Sequence, residues 1–409
     1  MQTIPKGEEA VATVGIVVSH PIQYYSPWFR ELSRVCRVIV LFCHRQTPAG
    51  QAAAGFEVEF EWDTDLLDGF QSRFLENVSR DPSTDHFFGC DTPGMGAVFE
   101  EEKIDVVIVF GWYLKSYLQA ILAAKRRKLP VLIRGDSQLR MSTSMLQRCI
   151  KRVLFPLFFR RIDGFLVVGL RFAEYLRHYG VEDDRMFTVP HCIDNEWFRE
   201  QASREKSLND ALRCWPIDPE GSARVLFVGK LIEKKRPLDL VRAAVILADR
   251  GVAIELAFAG DGVLREKILQ SADRAGLSVR MLGFRNQAKL PGLYASADML
   301  VLPSNGGETW GLVVNEAMAC GTPVVVSNAA GCAPDLVDPG RTGAIFACGD
   351  VEGLADAIQS VIPISGTAET DRALETKLDK YSTKSAVKGT LQALAFARIK
   401  ETGHASQVS

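Results

Sequence analysis

The sequence predicts an α/β protein of two doubly wound parallel sheets facing each other across a cleft. Three observations carry this expectation. The chain has 409 residues, enough for two domains that each bury a core. Short β-branched apolar runs alternate with helical patterns in two separate blocks, as strand–helix–strand units require. Between the blocks, residues 200–222 are polar and lack periodicity, which is how a linker reads. The chain is accordingly divided into a first domain over 1–195, a second over 196–380, and a closing segment over 381–409.

Composition removes several classes of function. The formal net charge is −2, so no global basic excess points to nucleic acid. Nine cysteines are scattered without paired metal-type spacing. An odd count with no framework favours a reducing cytosol. The N-terminus carries Glu8 and Glu9 before a short apolar run, unlike a secretory signal. No stretch approaches the length of a transmembrane helix, so a soluble or peripherally bound protein is expected. Charge is unevenly spread: 56–105 holds fourteen acidic and three basic residues, and 120–161 holds eleven basic residues against Asp136 alone. Such asymmetry can mark a partner surface.

In the first block, residues 14–18 (VGIVV) read as a buried strand. The loop after it carries His20, Gln23 and Tyr24 and opens a helix near Pro27. Ligands of open α/β sheets bind at the C-terminal ends of strands. These three residues are therefore candidate site residues, with an aromatic-packed turn as the alternative. Residues 37–43 form the next strand, and 56–62 alternate apolar and acidic residues like an edge strand. Asp63-Thr64-Asp65 has the spacing of a divalent-metal motif but stands in an acidic stretch, and reads as a solvated loop; no metal is expected. A strand over 104–110, a helix over 113–128 and a strand over 131–133 follow, the last ending at Asp136. Asp136 is either a site residue at a strand's end or a turn and cap residue.

Residues 145–161 (MLQRCIKRVLFPLFFRR) are basic and apolar together. Two readings stay open: contact with an anionic membrane surface, or a domain helix with a solvated basic face. Pro156 argues against a long regular helix. Strands over 165–168 and 186–190 close the first block.

The second block begins with a strand over 224–228, followed by Gly229, Lys230 and, five residues on, Lys235. Two ammonium groups at a strand's mouth can neutralise a diphosphate. A strand over 253–259 runs into Gly260-Asp261-Gly262, and one over 278–282 into Phe284 and Arg285. A helix over 289–295 and a strand over 298–302 lead to the stretch PSNGGETWGLVVNEAMACGTPVVVS. Here a polar loop with Glu308 enters a helix at about Gly311, Leu312 and Val313, which carries Glu316 and ends at Gly321. Glycines before a helix N-terminus expose amides suited to an anion. Glu308 and Glu316 would repel that anion and suit hydroxyls instead, since a carboxylate only accepts hydrogen bonds. A phosphate centre with hydroxyls on both sides describes a nucleotide sugar. Helices over 351–361, 371–381 and 385–400 finish the pattern, and 402–409 reads as a disordered tail.

The pair Glu308/Glu316, an E-x7-E spacing, together with EAMACGTPVV closely resembles the donor site of glycosyltransferase family 4 (group 1). These are retaining enzymes of the GT-B fold, with two Rossmann-like domains. The resemblance is strong over about 224–350 and weaker in the first half. It implies a diphosphate on the amides of Gly311, Leu312 and Val313, opposite Lys230 and Lys235. It further implies Glu316 on the ribose, Glu308 on the sugar, close backbone approach at Gly260, and Phe284 and Arg285 beside the base. Asp136 matches by resemblance the place of a His or Asp facing the cleft near the acceptor. Residues 189–194 look like the family's interdomain hinge, with His191-Cys192 where Asn-Gly is usual. The 385–400 helix is expected to cross back to the first domain.

The expectation is a metal-independent retaining glycosyltransferase, using a nucleotide diphosphate sugar as substrate and no cofactor. Its acceptor would be a glycan or lipid-linked intermediate of polysaccharide biosynthesis, and its site cytoplasmic, with a possible peripheral place on the membrane's inner face. Two rivals stand beside it: a nucleotide-sugar epimerase or hydrolase of the same fold, and a catalytically silent binding subunit.

Overall fold

The structure, a computed structural model, describes residues 12–46, 65–139, 144–208 and 221–405. Two wholly parallel sheets form its frame. The first comprises β1 (Thr13–Val18), β2 (Arg37–Phe42), β3 (Gln71–Phe74), β4 (Val106–Val109), β5 (Val131–Gly135), β6 (Gly164–Val167) and β7 (Met186–Thr188), in the order β3-β2-β1-β4-β5-β6-β7. The second comprises β8 (Ala223–Val228), β9 (Ile254–Ala259), β10 (Val279–Gly283), β11 (Met299–Leu302), β12 (Val324–Ser327) and β13 (Gly343–Phe346), in the order β10-β9-β8-β11-β12-β13. Strands covered by helices on both faces must be apolar throughout, and β1, β4, β6, β11 and β12 are buried along their whole length. Each sheet reverses its strand order once, between β1 and β4 and between β8 and β11. Those reversals open a crevice at the strands' C-terminal ends.

Several boundaries differ from the sequence reading. The edge of the first sheet is β3, a polar QSRF strand half open to water. The alternating 56–62 run expected there lies outside the described residues, as do Asp63 and Thr64. Asp65 is exposed, and its carboxylate accepts the amides of Leu67 and Asp68, so it folds a turn. The 200–222 linker is corrected in part: Asn195–Leu208 is a helix. Asp194 caps it by accepting from the Trp197 amide at 3.0 Å, and Phe198 and Ala202 are buried. Two apolar contacts one turn apart were too sparse a signal to reveal a helix. Residues 209–220 lie outside the described residues.

Met145–Phe159 is one helix that runs through Pro156. A proline there costs about 3 kcal/mol in an isolated helix. Here Phe155, Phe158 and Phe159 all pack against Trp112, and Phe155 and Phe159 also reach Tyr179, so aromatic burial offsets that cost. The final helix, Thr383–Ala405, packs against Ser26–Ser33 and the β6–β7 edge. Small residues let it come close: Ala386, Ala393 and Ala397 are buried, and a Cβ on Gly389 would sit 1.9 Å from the Thr188 carbonyl oxygen.

The two sheets are joined by more than the chain crossing between them. Asp335 accepts from the Leu170 amide at 3.0 Å and from the Tyr381 hydroxyl at 2.8 Å. The Arg171 guanidinium donates to the Asn328 carbonyl. Trp310 lies between His191 and Tyr381, against the bare backbone of Gly169.

Candidate active site

The loops that follow β1, β8, β9 and β10, with the helix Val313–Ala319 after β11, meet near the two reversal points around a cavity of about 410 Å³. Gln23 and Tyr24 reach it from the first sheet; Lys230, Lys235, Gly260, Phe284, Arg285, Val313 and Glu316 line it from the second. Its floor depends on glycine. Gly229 and Gly260 have φ of +144° and +146°, and a Cβ on Gly260 would stand 2.0 Å from the Gly229 carbonyl oxygen. Only bare backbone lets these two turns press together.

Lys235 ends the short turn Glu233–Lys235 and forms an ion pair with Glu308 across to the loop after β11. The Asn305 amide donates to the Lys234 carbonyl at 2.9 Å, which ties the two loops in register. Both side chains of the pair are largely buried, and Ser304 adds a hydroxyl hydrogen bond to Glu308 at 3.3 Å. Burial pushes the Glu308 carboxyl up, but the charges of Lys235 and Lys234 and the bonds from Lys235 and Ser304 outweigh it, and its pKa is lowered. Lys230 has its pKa lowered, first by burial and then by Lys235 and Lys234. Three ammonium groups thus converge here, and Glu308 is paired directly with that of Lys235.

Glu316 lies in the helix Val313–Ala319, fully buried at the cavity's inner end. The Tyr294 hydroxyl donates to its Oε2 at 2.6 Å, and among the described residues its Oε1 has no hydrogen-bond partner. Burial raises its pKa to about 7, against the opposing hydrogen bonds of Tyr294 and Tyr24. A buried carboxylate oxygen without a donor at a cavity wall is an acceptor ready for a ligand hydroxyl. The next residue back, Asn315, accepts from the Trp310 indole at 2.9 Å, which anchors this helix to the interdomain contact.

The first sheet contributes a second ring of polar groups. Asp136 accepts from the Thr309 hydroxyl at 2.7 Å. Gln138 donates to the carbonyls of Gly306 and Glu308, at 2.9 and 3.1 Å. Both contacts grip the very loop that presents Glu308. His20 and His44 follow the neighbouring strands β1 and β2, joined by the His44 amide bond to Ser19. Burial, then His44, depress the His20 pKa to about 4, so its imidazole is neutral near pH 7; its Nδ1 lies 3.0 Å from the Ser19 hydroxyl. Asp85, on the long loop after β3, is near enough for its charge to act on His20, His44 and Lys230 alike.

Of the residues singled out in the sequence, Gln23, Tyr24, Lys230, Lys235, Gly260, Phe284, Arg285, Val313 and Glu316 share one cavity, and Glu308 adjoins it through Lys235. Gly311 and Leu312 stand two residues and one before Val313 and are not on that wall; the helix begins at Val313 rather than Gly311. Gly311 has φ of +104° and a Cβ there would strike Leu302, so it shapes the entry to the helix. Asp136 and His20 lie off the cavity, the first against Thr309, the second beside His44. His191 is buried against Trp310 and Arg134, a packing residue at the hinge. Sequence reasoning missed Gln138, Tyr294, Ser304, His44 and Asp85. Each follows a strand or precedes a motif already noted, but none stands in a pattern of its own.

Comparison with known proteins bears on this site. Residues 216–382 match the family described as "Glycosyl transferases group 1". Over 201 residues the chain is 33% identical to D-inositol 3-phosphate glycosyltransferase 2 of Catenulispora acidiphila, covering 46% of this chain and 45% of that protein. Over 166 residues it is 35% identical to the glycogen synthase of Mycobacterium tuberculosis, 39% of each chain. The chain thus spans about half, or less, of the length of these curated relatives. Among solved structures, a glycosyltransferase from Rickettsia africae superposes with a TM-score of 0.71 at 15% identity, over 95% of this chain and 99% of that one. Anabaena Alr3699/HepE, solved in complex with UDP, gives 0.69 at 17% identity, over 94% and 99%. The fold is therefore GT-B: two Rossmann-like parallel-sheet domains facing a cleft.

Proposed function

We propose that this protein transfers a sugar, with retention, from a nucleotide diphosphate sugar to a glycan or lipid-linked acceptor in polysaccharide biosynthesis. The observation that carries the reading is the Lys235–Glu308 pair beside the cavity where both sheets reverse. In this reading the diphosphate lies against Lys230 and Lys235 and the amides about Val313. The ammonium groups meet the charge that grows as the nucleotide leaves, and no metal or cofactor is called on. The free Oε1 of Glu316 accepts from the ribose, and Phe284 and Arg285 flank the base. Glu308, held ionised by Lys235, accepts from sugar hydroxyls and stands beside the positive charge of the opening anomeric carbon.

Retention usually proceeds through a covalent intermediate or same-face attack. The reading takes same-face attack, the leaving phosphate receiving the acceptor's proton. Acceptor hydroxyls enter from the side of Asp136, His20, Gln23 and Tyr24. The eight described cysteines are all free, which suits a cytoplasmic protein.

Thermal-shift screening of UDP-, GDP- and ADP-glucose tests donor binding, because a ligand that binds only the folded state raises its melting temperature. One nucleotide series should stabilise the chain, and Lys235→Ala should abolish that response; stabilisation by none would overturn the reading. Incubation with donor alone separates transfer from its rivals: accumulation of an epimer or of free sugar at the full rate would replace a transferase by an epimerase or hydrolase.

A further inference from the structure

The first sheet reaches the cavity through one tight turn. The Tyr25 amide donates to the Ile22 carbonyl at 3.0 Å, so Gln23 and Tyr24 are the two central residues of a four-residue turn. Tyr25 anchors this turn from behind. Its ring meets Phe110 edge to face, 4.9 Å between centroids, and the Arg134 guanidinium lies over it at 5.3 Å. Ile22, Gln23 and Tyr24 are thereby held on the cavity wall, together with Glu316 from the second sheet. Gln23 is only 7% exposed, and among the described residues its Oε1 has no hydrogen-bond partner. Its amide nitrogen is engaged: Gln23 bonds the Tyr24 side chain in the sense that lowers the pKa of that phenol, which makes Gln23 the donor. Burial and then the Glu316 carboxylate raise the pKa of the same phenol, so Tyr24 adjoins Gln23 and Glu316 alike.

We infer that the Gln23 amide oxygen accepts a hydrogen bond from the ribose of the bound nucleotide, so that the ribose is read from both sheets, by Glu316 on one side and Gln23 on the other. The chemistry of the two unpartnered atoms selects this part of the ligand. A carboxylate oxygen and an amide oxygen are both acceptors, and a buried acceptor without a donor is costly. Neither suits the diphosphate, which brings no donor at neutral pH and has Lys230 and Lys235 for its charge. A vicinal diol brings two O–H donors side by side, one for each acceptor. The base also carries donors, but Phe284 and Arg285 flank it, whereas Gln23 is linked through Tyr24 to Glu316. This inference rests on the proposed nucleotide site and adds to it a reader from the first sheet. Gln23 and Tyr24 stand on the side from which the acceptor enters, but the unpartnered oxygen of Gln23 serves the donor. The second sheet alone would hold the phosphates and the base and read only one of the two ribose hydroxyls.

Calorimetric titration of the full chain with UDP, GDP and ADP, and with their 2′,3′-dideoxy forms, tests it. The ribonucleotide that binds should do so far more tightly than its dideoxy form, which leaves both acceptors unpaired. Gln23→Leu should lose about tenfold in affinity for the ribonucleotide and nothing for the dideoxy form, as removal of one hydrogen bond requires. Unchanged affinity for the dideoxy form also reports that the variant is folded. Tyr24→Phe keeps the ring and removes the hydroxyl that orients the amide; it should lose several-fold, again for the ribonucleotide alone. Where Gln23→Leu fails to fold, Tyr24→Phe decides by the same ratio. An equal loss for both ligands, or a loss for neither, would overturn the inference and leave the donor site standing. Failure of all three ribonucleotides to bind the parent would overturn the nucleotide reading itself, and the inference with it.

Discussion

The facing edges of the two sheets are built in opposite ways. On the second sheet the charged groups crowd into two short segments, Lys230 to Lys235 and Glu308 to Glu316, and compensate one another across a gap bridged by backbone. On the first sheet His20, His44, Asp85, Asp136 and Gln138 come from the loops after four different strands. The first arrangement is rigid and charge-dense, suited to a ligand part that every substrate shares. The second is a mosaic, each loop free to change without disturbing the others, suited to the part that varies.

The sharpest way to break this contrast is to remove the ammonium of Lys235. Lys235→Ala leaves a mostly buried Glu308 carboxylate without its counter-ion, and turnover should fall by about a thousandfold in initial-rate assays. Pairing it with Glu308→Gln should restore melting temperature but not rate, because the buried charge is gone while the leaving group still lacks its cation. Retention of more than a tenth of parental rate in Lys235→Ala would sink the assignment.

Next in size is the first sheet's grip on the Glu308 loop. Gln138→Ala frees the carbonyls of Gly306 and Glu308, and Asp136→Ala frees Thr309. Each should lower kcat about tenfold with nucleotide binding little changed, as expected when positioning rather than binding is lost. An equal loss of nucleotide affinity would move these residues to the donor side of the comparison.

Glu316 provides a pH test. Its folded pKa, about 7, lies above the ordinary carboxyl value of 4.5, so between those values the folded state holds a proton that the unfolded chain releases. Stability from this group is therefore full below about pH 4.5 and lost as pH rises through 7. Without nucleotide, Glu316→Gln should melt higher than the parent at pH 8, and the gap should close towards pH 5. A gap that widens on acidification would contradict the burial of this carboxyl.

The smallest effect is expected at the mosaic edge. Asp85→Asn should shift the acceptor KM only a few-fold and leave the nucleotide-induced thermal shift intact, since one exposed carboxylate among several groups carries little by itself. A large loss of nucleotide binding would instead tie Asp85 to Lys230.

The same contrast explains what was legible beforehand. Most strands of both sheets, β3 and β13 excepted, could be read from β-branched runs because parallel strands buried on both faces admit little else. The second sheet's site was readable because strand, glycine turn, cations and glutamates recur at fixed short spacings. The linker reading of 200–222 failed over 200–208, the end of the helix Asn195–Leu208, which finds its burial against the helix Leu290–Ser296. Gln138 and Tyr294 were invisible for a related reason. A lone amide or phenol acquires meaning only from the carbonyl or carboxylate that folding sets against it.

The sequence by itself determined two doubly wound sheets and a cationic, glutamate-bearing loop pair on the second, because burial and backbone turns are encoded by near neighbours. Tertiary structure alone decided that Glu316 is pushed towards neutrality while Glu308 stays ionised. It likewise decided that Asp136 and Gln138 brace the opposite loop. Those outcomes depend on which groups meet across long sequence separations, and on how much water each contact excludes.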